Sequence, residues 1–223
     1  MPTCKTPDLG RIKKIGLYLA DAQMTPVVGP DMGYLDDCPA AFESSDNVDD
    51  GEDFTRRCAD GSIKRFVPGV KSLQSIEVNL DLHWLDPAWL TSAGGASEIT
   101  HDSEVVGWSD GTSDRFNVFV VVWQEILTDD EGVAGDFVRI YPVKGATISE
   151  EGSPGSEDNY FRITGSTTDA HNIGRGPAPL ALNATTGDTE WLSDALSADH
   201  RFRFVGGPAP DGCGAVATTA ATP

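Results

Sequence analysis

The alternation of apolar and polar residues between positions 72 and 83 constrains the fold of this chain more than any other segment. Side chains alternate between the two faces of a β-strand, so a period of two indicates a strand with unlike faces. One face carries Ile76, Val78, Leu80 and Leu82, and the other carries Ser75, Glu77, Asn79, Asp81 and His83. The pattern predicts a half-buried strand whose polar face is acidic and in contact with water.

A second segment, residues 115–127, is apolar on both faces and predicts a different kind of strand. Three valines at positions 118, 120 and 122 alternate with Phe119, Val121 and Trp123. We expect this strand to lie centrally in a sheet, with both of its faces covered. Shorter strands are predicted at residues 13–19, 41–46, 54–58, 137–141, 160–167 and 201–205.

Helix signals are scarce in this chain. Asp86 followed by Pro87 is a favourable N-cap and first-turn pair, and the glycine pair at 94–95 would end the helix that begins there. A second short helix is predicted at residues 189–198, where apolar residues recur at helical spacing. The expected fold is mainly β: two packed β-sheets, arranged as a sandwich or partly closed barrel, with one or two short flanking helices.

The length of 223 residues suits one sizeable core. We expect residues 1–205 to form a single β domain and residues 206–223, which are small and Pro-rich, to form a flexible C-terminal tail. Within the domain, residues 1–10 would be an N-terminal arm, residues 40–66 an acidic hairpin, and residues 149–158 an exposed loop. No apolar run approaches the roughly 18 residues of a membrane span, and no signal peptide is recognisable, so we expect synthesis in the cytoplasm.

Acidic residues outnumber basic ones by 35 to 16, which gives a formal net charge of −19. A surface that grips nucleic acid needs Lys and Arg to neutralise phosphates, so this charge argues against such a role. The excess is concentrated in residues 31–60, which hold ten acids against Arg56 and Arg57. Such a run is either a solvated hairpin or an acidic wall presented to something negative, and composition alone leaves both open.

The sequence offers no recognisable catalytic, cofactor or metal site. It has no Gly-rich phosphate loop, no serine elbow and no dinucleotide fingerprint. The four histidines stand apart, and no two of the four cysteines have the two-residue spacing of a zinc site. We therefore expect no cofactor, no metal and no enzyme activity. Free thiols are expected as well, with Cys38–Cys58 the favoured pair if a disulfide forms.

Residues 40–90 combine these features in a fixed order. An acidic strand is followed by an acidic turn, the segment RRCADG (56–61), the alternating strand and the short helix. Further along lie the segments VVGW (105–108), YPVKG (141–145), FRITG (161–165) and GRGP (174–177). In pattern and order, from about residue 10 to residue 204, the chain resembles the major tail proteins, the tail-tube subunits of long-tailed bacteriophages with non-contractile tails. Residues 182–196 and the C-terminal tail have no counterpart in that pattern.

The resemblance implies a structural function. Proteins of this family share a fold of two packed sheets with a flanking helix, and they assemble as hexameric rings that stack into a hollow tube. This chain would then be a virion protein of the tail, made in the host bacterial cytoplasm, and DNA would pass through it without specific binding. Its partners would be further copies of itself, a tape-measure protein, and the tail-tip and tail-terminator proteins, with no membrane involved.

Two groups of residues would have separate roles in such a tube. Residues that face the lumen would repel DNA, and the candidates on the two charged strands are Glu43, Ser45, Asn47, Glu77, Asn79 and Asp81. Loose acidic loops would keep free subunits apart and become ordered when copies dock. The candidates for these inter-ring assembly loops are Asp46, Asp49, Asp50, Glu52, Asp53, Glu150, Glu151, Glu157 and Asp158.

Other functions remain open from the sequence. A type VI secretion tube protein, or another ring of the phage tail such as the terminator, has the same general architecture. A carbohydrate- or receptor-binding β-sandwich module of a virion is a different class, which five tryptophans support: Trp84, Trp89, Trp108, Trp123 and Trp191. A cluster of exposed tryptophans would favour that module, whereas buried ones would be core residues. An enzyme is the least favoured function.

Overall fold

The structure is a computed structural model that describes residues 8–57, 63–94, 96–110, 115–127, 136–152, 159–168, 181–182, 189–190, 199–206 and 209–218. These residues form fifteen strands and one short helix. The strands are β1 (Asp8–Ala20), β2 (Gly29–Asp36), β3 (Ala41–Asp49), β4 (Phe54–Arg57), β5 (Ile63–Val67), β6 (Ser72–Leu82), β7 (Ala96–His101), β8 (Glu104–Asp110), β9 (Phe116–Leu127), β10 (Asp136–Glu151), β11 (Tyr160–Thr167), β12 (Ala181–Leu182), β13 (Thr189–Glu190), β14 (Phe202–Gly206) and β15 (Gly214–Thr218). The helix, α1 (Pro87–Ser92), follows β6. The expected mainly β class is confirmed.

Nine of the described strands belong to one antiparallel sheet. Its order is β15-β2-β1-β9-β10-β11-β6-β3, and β14 pairs with part of β10. Because β15 and β3 are its two edges, the sheet is open and is not closed into a barrel. The other described strands form three separate two-stranded ladders, β4–β5, β7–β8 and β12–β13.

Strand β10 is the corner at which the large sheet turns. One side of β10 pairs with β9, and the other side pairs first with β14 and then with β11. The register with β11 shifts between Lys144 and Thr147, and Gly145 there has a φ of +65°, which favours glycine. Gly165 of β11 lies against this corner, where a Cβ atom would overlap the Val143 side chain. Such a bulge bends a strand and increases its twist.

The bend brings the two halves of the sheet face to face. Side chains of β1 and β9 share one core with side chains of β6, although β10 and β11 separate these strands in the sheet order. Leu17, Leu80 and Val120 are fully buried in that core. Trp89 of α1 is also fully buried and packs edge-on against the Phe116 ring. The packing of the two halves is that of a sandwich, as expected.

The other face of β9 is covered by a second apolar cluster. Phe119, Val121 and Trp123 are buried there against residues of β10 and against Phe202 of β14. Both faces of β9 are therefore buried, which confirms the prediction of a central, doubly covered strand. The prediction for residues 72–83 is confirmed too, because the four aliphatic residues of β6 are buried and Glu77 is exposed.

One of the two predicted helices is confirmed. The Asp86 Oδ1 atom accepts a hydrogen bond from the Ala88 backbone N–H at 2.9 Å, and Pro87 occupies the first turn of α1. The start of the second helix, predicted at residues 189–198, is wrong, since Thr189–Glu190 forms β13 and pairs with β12. The rest of that segment lies outside the described residues.

The predicted flexible tail, residues 206–223, is wrong for its described part. Gly206 ends β14, and Gly214–Thr218 forms β15, which pairs with β2 and makes one edge of the sheet. The buried Lys14 ammonium donates to the carbonyl oxygens of Pro210 and Gly212 at 2.5 and 2.7 Å, and this fixes the approach to β15. The segment is ordered because its backbone meets buried donors and acceptors that its composition does not reveal.

The structure also revises three predicted loops and arms. The predicted acidic hairpin, residues 40–66, is not a single hairpin. Strand β3 pairs along its length with the long strand β6 and not with β4. Strand β4 pairs with β5 instead. Residues 8–10 of the N-terminal arm belong to β1. Residues 149–151 of the exposed loop extend β10, whereas residues 153–158 lie outside the described part of the chain, as do residues 1–7.

Candidate functional site: a polar sheet face

Strands β3, β6, β11 and the second half of β10 present a continuous polar surface to solvent. Opposite residues in an antiparallel ladder project to the same side, so the registers define which side chains share this surface. We call this surface the polar face; its members are Glu43, Ser45, Asn47, Ser75, Glu77, Asn79, Asp81, Lys144, Thr147, Ser149, Glu151, Tyr160, Arg162, Thr164 and Ser166.

The register arranges the polar face in rows that cross the strands. Glu43 lies opposite Asn79, which lies opposite Thr164 in the next strand. The neighbouring row contains Ser45 and Glu77. The six residues predicted to face a lumen are thus brought onto one surface, although residue 43 and residue 79 are far apart in the chain.

The opposite side of the same strands explains why the polar side faces water. Phe42 of β3 packs its ring on buried Tyr141 with centroids 5.4 Å apart, and Ile76 and Leu80 of β6 are fully buried. A one-residue slip of register would turn these apolar side chains outward. Burial of the apolar side therefore fixes the outward position of Glu43 and Glu77.

The polar face holds two basic residues, Arg162 and the exposed Lys144, and the charge of Arg162 is paired. Its Nε and Nη2 atoms donate to the two carboxylate oxygens of Asp81, each at 2.8 Å, and Nη2 also donates to the Tyr160 hydroxyl at 2.9 Å. The hydrogen bonds to Asp81 raise the pKa of Arg162 above its usual value. Within the described residues Glu43 and Glu77 form no ion pair, so the polar face carries net negative charge.

The chemistry available on this face is that of a charged surface. A shallow depression of about 270 Å³ lies between β3, β6 and β11 and is lined by Ala41, Glu43, Asn79, Asp81, Arg162 and Thr164. No group of three or more potential metal ligands occurs among the described residues. Five of the six residues that line the depression carry hydrogen-bonding side chains, and Ala41 is the sixth, so the depression lacks the mostly apolar and aromatic lining typical of small-molecule sites.

Arg162, Thr164 and Ser166 were missed as site residues by sequence reasoning. The strand at residues 160–167 was predicted, and its alternation carried the signal, since Ile163 is buried while the even-numbered residues from 162 to 166 are polar. The cross-strand pairs could not be derived, because they depend on which strand lies beside β6. The hydrogen-bonding distance of 3.1 Å between the hydroxyls of Thr147 and Thr164 likewise depends on that pairing.

The residues predicted to form assembly loops are mostly held by contacts within the chain. Asp46 lies in β3 on the side opposite the polar face and pairs with Arg201 at 3.0 Å. Asp50 pairs with Lys71 at 2.7 Å, and Asp53 accepts a hydrogen bond from the Gly69 backbone N–H at 2.7 Å.

The other predicted assembly residues vary in placement. Asp49 ends β3 and accepts a hydrogen bond from the Gly51 N–H at 2.9 Å, and Glu52 is exposed nearby. Glu150 and Glu151 lie in β10, and Glu157 and Asp158 lie outside the described residues. Most of the described acids in this set are therefore part of ordered strands and turns in a single copy of the chain.

A separate surface feature is an aromatic pair beside the β7–β8 ladder. The Trp84 side chain is 53% exposed and meets the Trp108 ring edge to face, with centroids 5.9 Å apart. The Tyr34 hydroxyl donates to the Trp84 carbonyl oxygen at 2.6 Å and fixes the backbone there. Trp89 and Trp123 are fully buried, and Trp191 lies outside the described residues.

Comparisons of the chain with protein-family models, curated proteins and solved structures found no match. In the described ranges, no helix has the length and apolar character needed to cross a membrane.

Proposed function

We propose that this chain is the structural subunit of a bacteriophage tail tube, in which stacked hexameric rings enclose an acidic lumen for DNA. The observation that carries the proposal is the polar face: Glu43 and Glu77, from two strands, project to one side of a wide sheet in regular rows. The resemblance of the sequence to major tail proteins supplies the type of assembly. The partners would be other copies, a tape-measure protein, and the tail-tip and tail-terminator proteins, and the mature location would be the virion tail.

The charge of the polar face suits passage of DNA without binding. Duplex DNA carries one negative charge per roughly 1.7 Å of its axis. A surrounding wall of carboxylates repels it, and salt limits that repulsion to about 8 Å at physiological ionic strength. Because Arg162 is held by Asp81, its guanidinium is not free to pair with a phosphate, and the exposed Lys144 is the other basic residue of the face.

The edges of the sheet suit assembly of copies into a ring. Strand β3 is exposed along almost its whole length, and no described strand pairs with its outer edge. An unpaired edge is a template for another strand, and β15 offers a second, different edge. Pairing of two unlike edges between copies is head-to-tail, and such contacts close into rings when the rotation permits.

Negative-stain electron microscopy of the purified protein across a concentration series tests this proposal. Hollow tubes or sixfold rings are the expected result. A monodisperse monomer at every concentration, confirmed by sedimentation, would count against it.

A charge variant then tests the lumen. Tubes of E43K/E77K should retain duplex DNA when pelleted, whereas wild-type tubes should pellet without it. The matched control is D37K/D211K, which makes the same charge change at exposed carboxylates outside the polar face. DNA retention by the control alone would contradict a lumen at the polar face.

A second candidate function is supported by the exposed Trp84 ring and the partly buried Trp108 ring that it contacts. Aromatic rings with one exposed surface are typical of sugar and protein contacts, because they combine apolar area with little conformational entropy. This chain would then be a carbohydrate- or receptor-binding module of a virion. A glycan array should show binding that Trp84→Ala abolishes and Phe54→Ala, at another exposed aromatic residue, leaves unchanged. An array without any binding would contradict a carbohydrate-binding role.

A further inference from the structure

Strands β10 and β14 place two arginines directly opposite each other. Their register pairs Arg139 of β10 with Arg203 of β14, and opposite residues of an antiparallel ladder project to the same side. Val138 and Phe202, which precede them in the two strands, are buried in the second apolar cluster, so the two arginines lie on the other face. Arg203 is exposed and Arg139 is partly buried. We call these two residues the arginine pair.

The charges of the arginine pair are not neutralised within the described part of the chain. Neither guanidinium forms an ion pair there, and the Nε–H donor of Arg139 is buried without an acceptor. Like charges in directly opposite positions destabilise a ladder, and a buried donor without a partner is also unfavourable. Such an unpaired donor calls for an explanation, of which an ion that occupies the site is one. An anion that draws the two guanidinium groups together would offset both costs.

The surroundings of Arg139 hold its guanidinium in place. The Arg139 Cζ atom lies over the Phe137 ring, 5.4 Å from the ring centroid, and a cation is attracted to the face of an aromatic ring. In the ladder with β9, Arg139 lies opposite Val122, which is buried in the core. The arginine pair is therefore built on strands of the sheet, which position a binding group more precisely than a loop does.

Other ion pairs of the chain indicate which anion fits. The single guanidinium of Arg162 donates to both carboxylate oxygens of Asp81, and that of Arg201 does the same with Asp46. One carboxylate thus matches one arginine in charge and in geometry. Two adjacent arginines have twice the charge, which a phosphate monoester or inorganic phosphate matches with a charge of about −1.5 to −2 and at least three acceptor oxygens.

We infer that Arg139 and Arg203 form a binding site for a doubly charged phosphate group, either free phosphate or a phosphate monoester. Each strand supplies one guanidinium, so the ligand bridges β10 and β14. The net charge of −19 repels anions, but salt limits that repulsion to about 8 Å, and the two nearby guanidinium groups dominate at the site. The site lies outside the polar face and does not depend on the proposed tail-tube function.

Magnetic resonance spectra of the arginine Nε–H groups test the site. Titration with inorganic phosphate should shift the signals of Arg139 and Arg203 to saturation, and calorimetry gives the affinity. Arg139→Gln and Arg203→Gln should each weaken binding about tenfold or more, because each removes charge-assisted hydrogen bonds. The matched control, Arg115→Gln, changes an exposed arginine elsewhere and should bind phosphate like the wild type. Because Arg203 is exposed, its variant should fold even if Arg139→Gln does not.

Other anions separate the possible sources of the phosphate group. A nucleoside monophosphate should bind like inorganic phosphate, whereas acetate and short duplex DNA, with one charge per carboxylate or phosphodiester, should bind more weakly. Equal binding of acetate would overturn the assignment of a phosphate ligand, and tighter binding of DNA would overturn the assignment of a monoester. A wild type that shows no saturable phosphate binding, or binding that neither glutamine variant weakens, would overturn the site itself.

Discussion

The two halves of the nine-stranded sheet differ in how many of their faces are buried. In the half formed by β15, β2, β1 and β9, the central strand is covered on both faces, and Phe119 and Val120 are both fully buried although they point to opposite sides. In the half formed by β11, β6 and β3, only one face is buried, so fully buried Ile76 is followed by the exposed Glu77. The first half contributes more buried apolar residues than the second, and the second half presents an exposed polar surface.

Buried charge follows the same division. Lys14 on the doubly covered half and Asp136 on the adjoining strand β10 are buried, and both hold the C-terminal segment: Lys14 donates to Pro210 and Gly212, and Asp136 accepts from the Ala209 N–H at 3.1 Å. Lys13 pairs with Asp136 at 2.8 Å. The C-terminal segment is thus held against the sheet by specific polar contacts with residues that are distant in the sequence, whereas the polar face is exposed to water without such contacts.

The largest effect is expected where both faces are covered. Phe119→Ala should lower the free energy of unfolding by about 4 kcal/mol, because it leaves a cavity in the second apolar cluster. The matched control, Phe54→Ala, removes the same ring from an exposed position and should cost less than about 1 kcal/mol. Urea denaturation followed by tryptophan fluorescence measures both. Similar losses for the two variants would contradict the difference between the regions.

The corner between the halves should be the next most sensitive place. Gly165→Ala should lower the unfolding free energy by about 2–3 kcal/mol, because the added Cβ overlaps Val143 and the bulge of β10 must move. At Gly107 no atom lies within 4 Å of an added Cβ, so Gly107→Ala should be neutral or slightly stabilising. Thermal unfolding by circular dichroism compares them. A neutral Gly165→Ala would show that β10 and β11 are not in close contact at the corner.

Removing the buried ammonium should loosen the C-terminal segment. Lys14→Met keeps the apolar stem but leaves two carbonyl oxygens without their donor, at a cost of about 1–2 kcal/mol. Amide hydrogen exchange should increase in β15 and leave β6 unaffected. Lys144→Met, at an exposed position, is the control. Unchanged protection of β15 would mean that Lys14 does not secure it.

A smaller, pH-dependent gain in stability is expected when Asp36 is replaced by asparagine. Burial, more than the neighbouring charge of Asp37, raises the pKa of Asp36, so the native state holds that proton more tightly than the unfolded chain does. Stability from this group is present at low pH and falls as the pH rises through the native pKa. Asp36→Asn should therefore stabilise the protein by about 0.5 kcal/mol at neutral pH, and the gain should vanish below about pH 3.9, the ordinary pKa.

The hydrogen bond at this position should survive the substitution. The Cys38 N–H donates to the Asp36 carboxylate at 2.7 Å, and in the Asp36→Asn variant the new amide oxygen can accept the same bond. Asp37→Asn should give a smaller gain, because the charge of Asp37 is a lesser cause of the shift than burial. Chemical denaturation at several pH values measures both variants. A gain for Asp36→Asn that is independent of pH would show that the carboxyl charge is not its cause.

Local sequence patterns were sufficient to predict the elements that have a clear pattern of apolar and polar residues or a clear helix start. The alternation of β6, the apolar run of β9 and the Asp86–Pro87 start of α1 were all predictable, because burial of one or two faces leaves its period in the sequence. Strand β2 was not predicted, since two of its eight residues are glycine and its polar and apolar residues do not alternate. Strand β15 is short and small, and its pairing with β2 depends on contacts with residues far along the chain.

The same limit applies to the polar face. The sequence predicted Glu77, Asn79 and Asp81 on one strand and Glu43, Ser45 and Asn47 on another, and the register of β3 against β6 puts both sets on one surface. The pairing with β11, which brings the guanidinium of Arg162 to the carboxylate of Asp81, is set by the strand order and has no local signature. Strand order depends on the packing of the whole sheet, so a single sequence pattern does not contain it.

A cryo-electron microscopy reconstruction of the assembled protein tests the central claim most directly. The account predicts sixfold rings in which β3 and β15 edges are paired between copies, with Glu43, Glu77 and Asp81 lining a continuous bore. An assembly in which the polar face is turned outward or packed against a neighbouring copy would contradict it.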